Sequence, residues 1–346
     1  MILCGSNASW IKNRIFEDAV GSLHNRLTHK IPMYPFDLKE TKEYLIEKKG
    51  FDIDNKMVTD IYMVFGGVAK YLSYLEPQKS LYENIDDLFF NLHGLMYSEY
   101  DKVFRSLFMN RANFHKSVIE LLSSKRLGFT LSEIAKELDI SVGKRLINTI
   151  DELVLCGFIR GISKFNQKRR EIKYIIADQY ILFHQKWVKA LNKNDVASLF
   201  RGYWLKETQK QGFAIWSGYA FETVAITNIE LYLKVRGLQG IFSGVSHWQH
   251  IAKNQNEKGT QIDMIINYGD IMFDIVECKY YNDEYIISKE YGLNLKNKLK
   301  MFRKYGIGSK QKAELRLVFL TPYGVKMNAE AHGLNITNIV LDELFE

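Results

Sequence analysis

Apolar positions along this chain change period several times, and each change marks an element. Residues 2–6 (ILCGS) form a short strand-like run into a Gly-Ser turn, and Ile31 to Phe36 is a second extended piece punctuated by Pro32 and Pro35. Asp37 with Glu40 three residues on has the form of a capping box. Leu38, Tyr44 and Leu45 lie on the helix that it starts, and Gly50 ends it. Helical periodicity then continues to about Asn110, with Met57 to Phe65 stopping at Gly66-Gly67.

Lys116 to Asp178 follows a different grammar. Val118, Ile119 and Leu122 mark one helix, and Thr130 with Glu133 caps a second that carries Ile134 and Leu138. A turn at Ile140 to Gly143 leads to a third helix, with Leu146, Ile147, Ile150 and Val154 expected on one face and Gly157 at its end. Two strand-like runs follow, Phe158 to Phe165 and Glu171 to Ala177. The order helix-turn-helix then β-wing resembles a winged helix. Asp178 to about Gly212 reads as a helical connector.

The last third begins with an almost uniformly apolar helix from Trp216 to Val235. A short strand near Ile241 comes next, then the stretch GTQIDMIINYGDIMFDIVECKYY (259–281), which reads as a hairpin. A helix from Glu290 to Tyr305 and strands Leu315 to Thr321 and Ile336 to Leu341 complete an αβββαβ order, an α/β domain with a mixed sheet.

Composition narrows the class. The chain has 346 residues, enough for two or three domains, and no apolar run approaches the ~20 residues that span a bilayer. The N-terminus lacks the basic and apolar regions of a secretory signal, so an intracellular, cytoplasmic location is expected. Three cysteines, Cys4, Cys156 and Cys278, show no zinc spacing and make no disulfide framework. The net charge of +7 favours polyanionic partners such as DNA.

The chemistry concentrates in the hairpin. Asp263, Glu277 and Lys279 sit inside runs rich in Ile, Met, Val and Phe, where a charge must find partners. Alternate strand residues share a face, so Gln261 goes with Asp263, and Glu277 with Lys279, each pair about 6.6 Å apart. A two-residue turn at Tyr268-Gly269 would put Glu277 on the face away from Asp263. An odd loop such as Tyr268-Gly269-Asp270 would make Glu277 the same-face diagonal neighbour of Asp263, at roughly 7 to 8 Å. Carboxylates this close call for a cation between them, and both Lys279 and a divalent metal qualify: the residues read either as a structural ion cluster or as a metal site. Oxygen ligands suit Mg²⁺ or Mn²⁺, and Lys279 could orient or deprotonate an attacking water. Glu222 lies in the apolar AFETVAI, where its carboxylate is either a helix-flank group or a further site residue.

These residues resemble the motif of the PD-(D/E)xK nuclease superfamily: a helical Glu (Glu222), a strand Asp (Asp263), and Glu-x-Lys (Glu277-Cys278-Lys279) on the partner strand. The resemblance covers residues 212–346 and implies that Asp263 and Glu277 bind Mg²⁺ with the Cys278 backbone carbonyl. Lys279 would be catalytic and Glu222 an accessory ligand. On the following helix, Leu295, Leu299 and Phe302 mark a buried stripe. Lys296, Lys298, Lys300, Arg303 and Lys304 form either a phosphate track or a solvated basic face.

The whole chain also resembles prokaryotic AAA-type P-loop ATPases that end in a winged helix and a PD-(D/E)xK-like domain. ILCGSNASW looks like their sensor-1 strand, IPMYPFDLKETKEYL like the last core strand entering the lid, and FGGVAKYL like the lid motif, with Ala69 where that family has proline. No GxxxxGK[ST] segment occurs in the chain and no Walker B strand precedes ILCGS. The resemblance therefore implies an N-terminally truncated ATPase core, ATP binding only as a family trait, and improbable ATP hydrolysis by this chain alone.

The expected fold is thus multidomain α/β: an ATPase-core remnant (1–36) with exposed strand edges, a helical lid (37–110), a winged helix (111–190), a connector (191–211) and a restriction-endonuclease-like αβββαβ domain (212–346). Expected DNA contacts are Lys144, Arg145, Lys168, Arg169, Arg170, Lys296, Lys300 and Arg303, although Asp151 and Glu152 on the same helix as Lys144 and Arg145 leave open a packing role for the winged helix. The leading expectation is a Mg²⁺-dependent nuclease-like phosphodiesterase on DNA. The alternative is a non-catalytic DNA-binding or regulatory protein, or an ATP-binding ATPase-family subunit whose P-loop portion is missing or on another chain; a homo-oligomer, or a partner chain that supplies the missing ATPase core, is expected, and no membrane partner.

Overall fold

The computed structural model describes residues 29, 31, 33–166, 171–252, 257–308 and 312–346. These form a mixed α/β protein with eight strands. No helix among the described residues is long and apolar enough to cross a membrane. Chain contacts separate two compact units: one takes residues up to Phe36, 64–161 and 174–207, the other 37–63, 162–173 and 208–346. These units partition the chain differently from the five expected segments, because residues 37–63 join the unit that holds the hairpin. The ILCGSNASW segment, including its expected strand edges, lies outside the described residues.

In the first unit, helices Ala69–Ser73, Leu81–Phe89 and Glu99–Phe108 precede α1 (Ala112–Ser123). Strand β1 (Phe129–Thr130) runs into α2 (Leu131–Glu137), where Thr130 and Glu133 cap each other: Glu133 N–H donates to Thr130 Oγ1 at 3.2 Å and Thr130 N–H to Glu133 Oε2 at 2.7 Å. Helix α3 (Lys144–Leu155) ends at Gly157, whose φ of 75° is a conformation that side chains disfavour. Its buried stripe is Leu146, Ile150 and Leu153, at i, i+4 and i+7. Ile147 and Val154, expected on that face, are each 42 % exposed, because Thr149 is buried as well and the inward face is rotated toward it and away from them. Strands β2 (Ile159–Lys164) and β3 (Ile172–Ile176) follow, with residues 162–164 and 172–173 of these strands belonging to the second unit.

In the second unit, the apolar helix is two helices, α4 (Gln211–Thr227) and α5 (Ile229–Arg236). Asn228 makes the break: its side-chain amide donates to Val224 O at 2.9 Å, and its Oδ1 accepts from Leu38 N–H at 2.9 Å. A side chain that bonds backbone in this way competes with the helix, an interaction that apolar periodicity does not register. The residues 37–63 are anchored further by Asn55 donating to Asp342 Oδ1 at 2.7 Å and by the Tyr280 hydroxyl donating to Asp60 at 2.8 Å.

Strands β4 (Phe242–His250), β5 (Thr260–Tyr268) and β6 (Met272–Cys278) form an antiparallel meander. β7 (Glu314–Thr321) and β8 (Thr337–Val340) then add in parallel, in the order β4-β5-β6-β7-β8, and Ser163 and Lys164 of β2 pair in parallel with β4. The parallel steps need crossovers, supplied by α6 (Lys289–Met301) and by α7 (Ala329–Leu334), a helix that the sequence pattern did not show. Ile265, Phe273, Ile275 and Leu317 pack with Leu295 and Phe302 in one core. Across the sheet, β6 is buried on both sides, as a central strand with helices on each face should be.

Candidate functional site

The hairpin loop is odd. Tyr268 pairs with Met272, so the loop is Gly269-Asp270-Ile271, one residue later than expected. Gly269 and Asp270 both take positive φ, 60° and 62°. Asn267 holds the turn, its Nδ2 donating to Asp270 Oδ1 at 2.7 Å and its Oδ1 accepting from Asp270 N–H at 2.9 Å. The ladder runs from there to Met264 opposite Val276 and stops. Asp263 and Glu277 are the next residue on each strand, so the register sets them opposite each other just past the end of the ladder instead of on the expected diagonal.

A bulge explains why the ladder ends there. Between β4 and β5 the register steps from Ser246 opposite Ile265 to Trp248 opposite Ile262. Two residues, Asp263 and Met264, therefore face the single His247. Bulges of this kind bend a strand and re-aim a side chain. His247 is buried, and its Nε2 has no hydrogen-bond partner among the described residues. Burial, then Lys173 and Lys164, push its pKa down to about 4.

Glu277 is only 8 % exposed and is densely partnered. Lys298 of α6 donates to its Oε1, the Tyr291 hydroxyl donates to Oε2 at 2.5 Å, and Lys279 Nζ lies 3.9 Å from Oε2. The Lys279 ammonium also sits over the rings of Tyr291 and Tyr285, 4.6 and 5.7 Å from their centroids. Burial and then the Glu277 charge raise the Tyr291 pKa far above its usual range, and the Asp263 carboxylate contributes, which places Asp263 within electrostatic reach of this cluster. Burial pushes Tyr285 up to about 12. Asp263 itself is half-buried and accepts a hydrogen bond from Gln261, the same-face neighbour that the alternation predicts.

Tyr291 was not among the expected site residues, and Lys298 was expected only in the basic face or phosphate track of the helix. A signal existed: Tyr291, Leu295, Lys298 and Phe302 stand at i, i+4, i+7 and i+11, so Lys298 belongs to the buried stripe of α6 and not to its basic face. The rest of that face divides. Lys296 and Lys300 are exposed, Lys296 lying 3.8 Å from Glu330, whereas Arg303 donates to the Ala313 carbonyl and Lys304 pairs with Glu257 at 3.1 Å.

Glu222 is buried on α4 beside Phe221 and Val224. Among the described residues, no group of three or more His, Cys, Asp or Glu side chains is gathered so as to hold a metal. The accessory role expected for Glu222 gains no support from that arrangement. Cys278 ends β6 in register with Leu320, leaving its carbonyl at the strand end. The donor chemistry that remains, two hard carboxylates and a carbonyl, fits Mg²⁺ or Mn²⁺ retaining several waters, on the condition that Lys298 yields Glu277 Oε1.

Of the expected DNA contacts in the first unit, Lys144 is exposed at the start of α3. Arg145 stacks instead on Phe114, its guanidinium carbon 4.0 Å from the ring centroid. Lys168, Arg169 and Arg170 lie outside the described residues. No protein-family model, curated protein or solved structure matches this chain.

Proposed function

We propose that the second unit is a Mg²⁺-dependent, nuclease-like phosphodiesterase of the PD-(D/E)xK kind acting on DNA. The observation that carries this reading is the three-residue loop Gly269-Asp270-Ile271 together with the bulge at Asp263. The odd loop sets Asp263 and Glu277 at one end of the ladder, and Lys279 lies 3.9 Å from Glu277. A bound divalent ion would supply Lewis acidity at a phosphate oxygen, with Asp263, Glu277 and the Cys278 carbonyl holding it. Lys279 orients the attacking water and offsets the charge that grows on the phosphate. Tyr285 and Tyr291 keep that ammonium over their rings, and exposed Lys296 and Lys300 on α6 would take the neighbouring backbone phosphates.

Incubation with supercoiled plasmid and Mg²⁺ or Mn²⁺ tests this reading. Wild type should nick or linearise the plasmid, and Asp263→Ala and Lys279→Ala should not. Equal cleavage by all three proteins, or none by wild type across metals and salt, would remove the catalytic reading.

The second reading is a non-catalytic DNA-binding or regulatory protein that keeps Glu277 as part of a structural ion cluster. It draws on the same carboxylate, which Lys298, Tyr291 and Lys279 already satisfy without a metal. DNA binding that falls steeply with salt, without cleavage, is its expected signature. ATP hydrolysis is no part of either reading.

A further inference from the structure

The first reading treats Lys298 as scenery, yet its position at Glu277 has a consequence for any cation that the carboxylate binds. Resting on that reading, we propose that Lys298 is a resident counter-cation: its ammonium neutralises Glu277 when no divalent ion is present, and must leave Oε1 before one can bind. Lys298 thereby sets the metal concentration at which the site fills.

Three observations carry the inference. Lys298 and Tyr291 occupy separate oxygens of the carboxylate, Oε1 and Oε2, so an incoming ion finds neither unpartnered. Lys279 adds a second ammonium at 3.9 Å, so Glu277 keeps one lysine beside it when Lys298 leaves. Lys298 is attached to α6 and not to the strand, and its side chain is 15 % exposed, so it can swing toward solvent without moving β6. Lysine suits this role better than arginine: a flexible stem and a point charge release an oxygen more readily than a planar fork that binds both. Competition of this kind is simple linkage, since a ligand that must displace a bound cation loses affinity by the free energy of the displaced contact.

The test is calorimetric titration of Mn²⁺ and Mg²⁺ into the full chain, paired with thermal melts in chelator and in saturating metal. Lys298→Met removes the ammonium and keeps much of the stem. It should bind the ion roughly tenfold more tightly than wild type, as expected for loss of a contact worth about 1.4 kcal/mol. Its melting temperature should fall in chelator, where Glu277 loses a partner, and recover in metal. Lys298→Arg keeps the charge and should bind the ion no more tightly than wild type. If wild type binds metal and cleaves DNA while Lys298→Met binds with equal or weaker affinity, the counter-cation role is wrong and the nuclease reading survives. If neither wild type nor Lys298→Met binds metal and neither cleaves, both fall. A melt of Lys298→Met lowered equally with and without metal assigns Lys298 a purely structural place.

Discussion

Two buried carboxylates three residues apart on β6 face opposite sides of the same sheet and are treated very differently. Asp274 is 0 % exposed and accepts from Tyr232 at 2.9 Å, from Tyr268 at 2.9 Å and from Arg236 at 2.9 and 3.2 Å. Its one charge meets one guanidinium in a fork, and both remaining donors are phenols. Glu277 meets two ammoniums and one phenol at the open end of a ladder, beside a second carboxylate. A closed cluster locked by a forked guanidinium is what a structural site requires; flexible lysines on carboxylates where the β5–β6 ladder opens are what a site for an exchanging ionic ligand requires. The contrast separates a locked ion pair from a site of chemistry more sharply than the presence of a charged residue in a strand could.

The largest effect should come from breaking the locked side. Asp274→Ala leaves Arg236 and two buried phenols without their acceptor and should cost about 3–5 kcal/mol of stability in urea denaturation. A loss below about 1 kcal/mol would show that Asp274 is no keystone and erase the contrast.

A second test adds charge near the site through pH. The His247 pKa is held at about 4, below its ordinary 6.5, so the unfolded chain binds the extra proton first as the solution is acidified. Its contribution is complete above about pH 6.5 and is lost as pH falls toward 4, a change of about 3 kcal/mol. His247→Leu should flatten that part of the stability profile; an unchanged slope would mean that the ring is not held neutral by its surroundings.

Glu277→Gln should cost less than Asp274→Ala, about 1–3 kcal/mol, because the amide oxygen still accepts from one of the two donors, the Tyr291 hydroxyl can turn to accept from the amide NH2, and the lysines can turn to solvent. Metal-dependent cleavage should vanish with it. Were its stability loss to equal that of Asp274→Ala, the two sides of β6 would be alike and Glu277 structural.

The smallest stability effect belongs to Lys279→Ala, whose ion pair is half-buried but long at 3.9 Å and contributes about 1 kcal/mol, while cleavage should be lost. A variant that unfolds, or one that still cleaves, would take Lys279 out of the proposed chemistry.

Local signals were legible from residues alone. The boxes Asp37 with Glu40 and Thr130 with Glu133 both close, because a capping box is satisfied by atoms within four residues. The strands β5 and β6 and the position of their turn were equally readable, but the sequence left an even and an odd loop both open, and only the pairing of Tyr268 with Met272 decides it. Helix α7 was missed because its six residues are too few for a period to show, and the break at Asn228 was missed because its Oδ1 partner, Leu38 N–H, is far away in the chain.

The sequence by itself determined most of the elements, the place of the turn between β5 and β6 and the residue types available for chemistry, since helix caps, turn residues and periodicity are properties of neighbours along the chain. Only the tertiary structure decided what those charges meet. The bulge that sets Asp263 and Met264 opposite His247, the fork of Arg236 on Asp274 and the ammonium of Lys298 on Glu277 each join residues at least 16 positions apart. Burial and charge neutralisation depend on which distant side chains share a volume, and a one-dimensional pattern carries no record of that.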